Sequence, residues 1–307
     1  MVGGKSLGEH VFRAFNIVFM IVLMFATIYP FWYAVISSLN DGSDLMRGPL
    51  ILWPRQFTWV SWRTVLLDPG LLQALWITVS RTVIVTAVSL LLTAMFAYAF
   101  SRPYLQGKKW YAAIGFTSMY FSGGLIPSFL LINWLGLYDN YWVYIIPSLF
   151  GGFFNVIILI ANYKAIPDSL FESAKMDGAS EFRIFFQIVL PLSKPVLAAL
   201  SVFSAVNIWN DYGTTLYFTQ SSNLQTLQYM ILKLLQTSSA AEQLSNSVLQ
   251  NNPQVADLLG SAQGSGMVSA QTLQLATMVI ASIPMIIIYP FAQRYFAKGV
   301  LLGSIKG

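Results

Sequence analysis

The chain has 307 residues, of which 56% are hydrophobic and 9% charged, and its formal net charge is +5. A soluble domain carries about 25% charged residues, so no water-facing shell can be built from this composition, and the abundance of apolar and aromatic residues excludes disorder. Cysteine is absent, which removes disulfides, thiolate nucleophiles and zinc–sulfur sites, and the single histidine, His10, argues against a histidine-based catalytic or metal centre.

A membrane helix needs about 20 mostly apolar residues. Six stretches meet that length: about 12–38, 72–100, 111–135, 142–163, 192–218 and 272–296. The expected class is an all-α, polytopic membrane protein with six transmembrane helices.

Before the first stretch, Gly4–Lys5–Ser6 lacks the upstream glycine of a phosphate-binding loop, and no strand precedes it, so no ATP binding is expected of this chain. The first stretch is too long for a cleavable signal peptide, and Pro30 should kink it near its outer end. Residues 39–71, with Pro54, Pro69 and several aromatic residues, read as a folded external loop in which Asp41 and Asp44 serve to solvate the surface.

Arg81 lies about a third of the way into the second stretch, where an ionised side chain is costly. It could snorkel to the outer interface, meet an acidic residue on another helix, or read an acidic sugar. In the third stretch Tyr120, Phe121, Gly123 and Gly124 could interrupt the helix beside a pathway. In the fourth, Asn155 follows Gly151 and Gly152 and suits either close helix packing or a path lining.

Residues 164–191 are too polar for the bilayer. Pro167 suits a helix start, and Ser169 with Glu172 fits a capping box. Gly178 is a natural stop, Ser180 can cap a second helix over 181–190, and Pro191 punctuates the approach to the next stretch. The two short helices put Leu170, Phe171, Ala174 and Met176 on one face, and Asp168, Glu172, Lys175 and Asp177 on the other.

The fifth stretch carries Asn207, Trp209, Asn210, Asp211 and Tyr212. Rings that stack on sugar faces, beside amides and a carboxylate that bond hydroxyls, suit a saccharide path; a helix-packing or interfacial cluster is the alternative. Residues 237–271 form a polar excursion on the outer side, with helix-like pieces at Ala240–Leu249 and Pro253–Leu259 and a spacer at Ser261–Gly266.

Orientation follows from the cations. With the N-terminus inside, Lys5, Arg13, Arg102, Lys108, Lys109, Lys164, Lys175, Arg183, Lys194, Arg294, Lys298 and Lys306 are cytoplasmic, twelve of the 17. Both termini are therefore expected in the cytoplasm, and membrane lipid rather than nucleic acid is the partner of these dispersed charges.

The segment Glu172–Ser173–Ala174, then Gly178, then Ile188–Val189–Leu190–Pro191 resembles the EAA loop of bacterial ABC importer permeases, E-A-A-x3-G-x9-I-x-L-P, with both gaps matching and Ser173 in place of one alanine. Ala97–Tyr98–Ala99–Phe100–Ser101–Arg102 and the tail Gln293–Arg294–Tyr295–Phe296 with Lys298–Gly299 look like carbohydrate permeases of the maltose type. Phe121–Ser122–Gly123–Gly124–Leu125–Ile126–Pro127 looks like the subgroup that handles complex oligosaccharides.

The resemblance implies a type I importer permease fold (MetI-like) in a bacterial cytoplasmic membrane. It implies a second homologous permease subunit, two ATP-binding subunits that hold ATP and Mg, and an extracytoplasmic solute-binding protein. Glu172, Ser173, Ala174, Asp177, Gly178, Ile188, Leu190 and Pro191 would couple the permease to the ATP-binding subunits. Arg81, Tyr120, Asn155, Asn207, Trp209, Asn210, Asp211 and Tyr212 are the candidate path. The cargo expected is an oligosaccharide, and Arg81 raises an acidic, uronate-containing one as a case to test. The rivals are another organic solute, a membrane enzyme acting on lipid-linked sugars, and an ion-driven transporter. The last two want carboxylates or ionisable groups at mid-membrane that are scarce here.

Overall fold

The computed structural model describes residues 7–45, 47–149, 152–237 and 269–304. Among the described residues the fold is helical, and the β structure is one isolated antiparallel bridge between Asn40 and Phe57. The chain divides into two compact units, residues 1–68 with 231–283, and residues 69–230 with 284–307.

In the first unit, α1 (Leu7–Ser38) continues through Pro30 without a break. The loop that follows contains α2 (Gly42–Leu45) and α3 (Val60–Leu67). It is folded, as its prolines and rings suggest, but the role expected of its acidic pair is corrected. Asp44 is buried, and its carboxylate accepts hydrogen bonds from Asn40 Nδ2 and Arg55 Nε, each at 2.9 Å. Asp41 Oδ1 accepts from the Ser43 amide at 2.8 Å and so caps α2. These carboxylates fasten the loop instead of solvating it. Edge-on ring pairs, Trp32 with Trp53 and Trp59 with Trp62, complete its packing. The sequence pieces Ala240–Leu249, Pro253–Leu259 and Ser261–Gly266 lie outside the described residues.

The second unit is organised on α4 (Pro69–Ser101), which carries the sequence of the second apolar stretch as one uninterrupted helix. Its small residues Ala94 and Ala97 are fully buried and let neighbouring helices approach closely. Both α7 (Phe153–Lys164) and α11 (Lys194–Asn210) pack along it. One apolar core gathers Ala97, Leu159, Tyr163, Ile184 and Leu200; a second gathers Ile77, Val85, Ile132 and Val143.

Three helical segments, Gly8–Ser38, Pro69–Ser101 and Ala270–Pro290, are each long and apolar enough to cross a membrane alone. The last belongs to the helix Ala270–Ser304. The other apolar stretches are broken. The third splits into α5 (Lys108–Tyr120) and α6 (Leu125–Trp134), bent by 116° across residues 121–124. There the second glycine, Gly124, takes a φ of +80°, which an L side chain rarely tolerates. The fourth begins as two 3-10 turns, Tyr141–Tyr144 and Ile146–Ser148, before α7. The fifth ends α11 at Asn210 and resumes as α12 (Gly213–Phe218).

Candidate functional site

The polar segment between α7 and α11 is an elbow. Its first arm, α8 (Asp168–Met176), has Pro167 at its N-cap, so Ser169 falls inside the first turn and the expected capping box with Glu172 does not form. Asp168 instead places a carboxylate near the helix's positive end.

The far end of α8 follows the expectation. Gly178 adopts φ +73°, its amide donates to Lys175 O at 3.0 Å, and the Ala179 amide donates to Ala174 O at 2.9 Å. That pair of bonds is the glycine-terminated Schellman motif, and the half-buried Ala179 packs against the core that holds Ala174. Ser180 then caps the second arm, accepting from the Arg183 amide. This arm runs as α9 (Glu181–Ile184), a π turn at Phe185–Val189 and α10 (Leu190–Leu192). The π turn ends at Val189, two residues before Pro191, whose missing amide and bulky ring disturb the preceding turn. The sharp change of direction, 80°, comes after Leu192, at Ser193, two residues beyond the Pro191 that marks the approach to the fifth stretch.

The faces of α8 also differ from the sequence pattern. Phe171 and Ala174 turn inward to the core, while Leu170 and Met176 remain outside, Met176 with 89% of its surface exposed. Glu172, Ser173, Asp177 and Gly178 are exposed beside them, Ile188 and Leu190 are half-buried, and Pro191 is exposed. The outward surface of the elbow therefore mixes apolar and acidic groups, the composition that a helix-in-groove contact requires.

A second set of contacts, which the sequence reading did not assign, holds the elbow from behind. Glu181 Oε2 accepts a 2.6 Å hydrogen bond from Tyr98 Oη on α4, and Glu181 Oε1 pairs with Lys175 Nζ at 3.0 Å. The Arg102 guanidinium lies 3.7 Å from the centre of the Phe171 ring and 5.1 Å from that of Tyr98. Burial pushes the Glu181 carboxyl up, but donors on Tyr98, Tyr104 and Lys175 outweigh it and hold the carboxyl below its ordinary range. The spacing of Tyr98 and Arg102, one helical turn apart at the end of a span, was the available signal.

The candidate path residues do not form one surface. Arg81 is 1% exposed. Its Nη1 meets Asp211 Oδ2 at 3.1 Å, and its Nη2 donates to Ile208 O at 2.8 Å and to Asp211 O. Its planar group also lies 5.0 Å from the centre of the Tyr144 ring. Of the readings left open for Arg81, the structure has the acidic partner on another helix: the cation fastens the break between α11 and α12. Asp211 Oδ1 accepts from the Thr214 amide at 3.2 Å, so the same carboxylate starts α12. Trp209 is buried too, and neither it nor Arg81 faces an open path here. Asn207, Asn210, Tyr212 and Tyr120 are exposed, and Asn155 is half-buried. A cavity of about 580 Å³ is lined by Thr93, Phe96, Ser118, Met119 and Phe154, next in sequence to Tyr120 and Asn155.

Residues 2–302 match the family model described as binding-protein-dependent transport system inner membrane component. The polygalacturonan/rhamnogalacturonan transport system permease protein YtcP of Bacillus subtilis (strain 168) is 37% identical over 294 residues, covering 95% of this chain and 97% of that protein. Protein LplC of the same organism is 35% identical over 297 residues, covering 97% and 95%. Among solved structures, a bacterial ABC transporter involved in the import of the acidic polysaccharide alginate contains a similar chain. The likeness has a TM-score of 0.83 at 27% identity and covers 96% of this chain and 100% of that one.

Proposed function

The chain belongs to the family of binding-protein-dependent transport system inner membrane components, and we propose that it forms half of the membrane path by which an ATP-driven importer admits uronate-containing oligosaccharides. It is a permease subunit of an ABC importer, a transport subunit rather than an enzyme.

The observation that carries the cargo is the 37% identity, over 95% of the chain, to a permease named for polygalacturonan and rhamnogalacturonan. Both are polymers built with uronic acids. In this reading an extracytoplasmic solute-binding protein delivers the oligomer, and a second, homologous permease completes the path. Two ATP-binding subunits hold ATP and Mg and drive alternation between inward-open and outward-open states. The three long helices and the three broken stretches make six crossings, with both termini in the cytoplasm. The excess of Lys and Arg in the segments assigned to that side supports this orientation.

The elbow is the coupling element. Its Gly178-terminated first arm presents Glu172, Ser173, Asp177 and Met176 outward, where a closing ATP-binding subunit can grip it. Ile188, Leu190 and Pro191 carry the displacement into α11.

The test uses the assembled transporter in proteoliposomes with its cognate binding protein. Labelled galacturonate oligomers should enter on ATP addition, and neutral oligomers of equal length should compete poorly. Entry of neutral oligomers alone would refute the acidic cargo. A neutral oligosaccharide is the second reading, favoured by the pairing of Arg81 with Asp211, which commits that cation to a partner within the chain.

A further inference from the structure

We propose that Glu181 is a positioning residue that latches the coupling elbow to the end of α4, so that elbow and helix move as one lever. This rests on the reading of the elbow as the coupling element. Glu181 sits just after the turn between the arms, and its two carboxylate oxygens are divided between two elements. Oε2 takes the Tyr98 hydroxyl of α4 at 2.6 Å, and Oε1 takes the Lys175 ammonium of α8 at 3.0 Å. One side chain thus joins α4, α8 and α9.

These two bonds are unequal, and the Tyr104 hydroxyl is a further donor to the same carboxylate. Lys175 and Glu181 are each nearly half exposed, and an ion pair in that setting contributes little. The Tyr98 bond is partly buried, short and made to an ionised acceptor, the kind of hydrogen bond that is stronger than a neutral one. Stacked groups brace it. Arg102 bridges the Tyr98 and Phe171 rings, and the Tyr98 and Phe185 ring centres are 5.4 Å apart. Beside the latch is a largely apolar cavity of about 280 Å³ lined by Met95, Ala99, Tyr104 and Phe182 among others. Phe171, Ile184 and Phe185 pack with Ala97 and Tyr98 in the core on the other side, and at the rim of the cavity the carboxylate adds a directional anchor to that packing.

A latch of this kind transmits force without being the surface gripped by the motor. Glu181→Gln and Tyr98→Phe should therefore leave the ATP-binding subunits bound and ATP hydrolysis within about twofold, while solute carried per ATP hydrolysed falls about tenfold. Because the two side chains share one bond, the double variant should be no worse than Glu181→Gln alone. Glu172→Arg, on the gripped face, should instead release the ATP-binding subunits. Unchanged solute carried per ATP in both single variants, or additive losses in the double variant, would overturn the latch. Retention of the motor by Glu172→Arg would count against the coupling assignment itself.

Discussion

Arg81 and Asp211 stand 130 residues apart in the chain, yet Nη1 and Oδ2 meet at 3.1 Å where α11 ends. The guanidinium spends its Nη groups on the carboxylate and on two main-chain carbonyls that the helix break leaves exposed. Removing it takes a donor from all three acceptors, of which Ile208 O keeps the Asp211 amide at 3.3 Å and the carboxylate keeps the Thr214 amide at 3.2 Å. Breaking a buried pair in this way costs about 3–5 kcal/mol, and the value here should fall at the low end because Asp211 is about one-third exposed.

Arg81→Ala should therefore lower the thermal stability of the purified complex and reduce uptake of neutral and uronic oligomers in equal proportion. Arg81→Lys should recover part of the stability, since a point charge replaces the fork that bonds several acceptors together. Selective loss of uronic uptake in Arg81→Ala would show that the arginine reads cargo charge instead.

Gly178 offers a graded test of the elbow. Nothing lies within 4 Å of a Cβ built there, so the cost of Gly178→Ala is the backbone term alone, about 1–2 kcal/mol for an L residue in the left-handed region. Gly178→Asn should be milder than alanine. Gly178→Pro cannot take a positive φ and loses the amide that bonds Lys175 O, so it should release the ATP-binding subunits. Co-purification of those subunits ranks the three; equal retention would exclude the turn from coupling.

Some of this arrangement is legible in the chain and some is not. Continuous apolar stretches of span length, a glycine that must take the left-handed conformation, and Ser180 ahead of a polar run are local signals, and each is found where the residues put it. The capping box was misplaced because the N-cap is Pro167, so α8 starts two residues too early for Ser169 to cap it. The break at residues 121–124 falls where Tyr120, Phe121, Gly123 and Gly124 were expected to interrupt the helix, whereas the break at Asp211 carries no proline or glycine pair to announce it. The Tyr98–Glu181 and Arg81–Asp211 contacts join residues 83 and 130 positions apart, a pairing no local pattern encodes.

Gly115 is a packing requirement instead of a conformational one. A Cβ there would stand 2.3 Å from Phe153 Cε2, and the Phe153 ring is already held edge-on by Phe100 and Phe116. Gly115→Ala should destabilise the complex by about 1–3 kcal/mol, the usual range for overpacking. Phe153→Leu in the same chain should restore part of the melting temperature. Failure of the pair to rescue would mean that α5 and α7 separate freely.

Asp139 gives a pH dependence with a defined sign. It holds φ 52°, and its carboxylate accepts from the Ser221 hydroxyl at 2.6 Å and from the Ser221 and Gln220 amides at 2.8 Å each. The Ser221 hydroxyl first, then the two amides, hold its pKa below the ordinary carboxylate value. The unfolded carboxylate, with a pKa of about 3.9, thus takes up its proton before the folded one does. The contribution is fully present above that unfolded value and is lost as pH falls through the lower folded value. Hydrogen exchange at the Gln220 and Ser221 amides, corrected for the intrinsic rate, should lose protection only below about pH 4. In Asp139→Asn protection should be weaker at neutral pH and flat across this range, and a variant that kept the native pH profile would remove Asp139 from the tether.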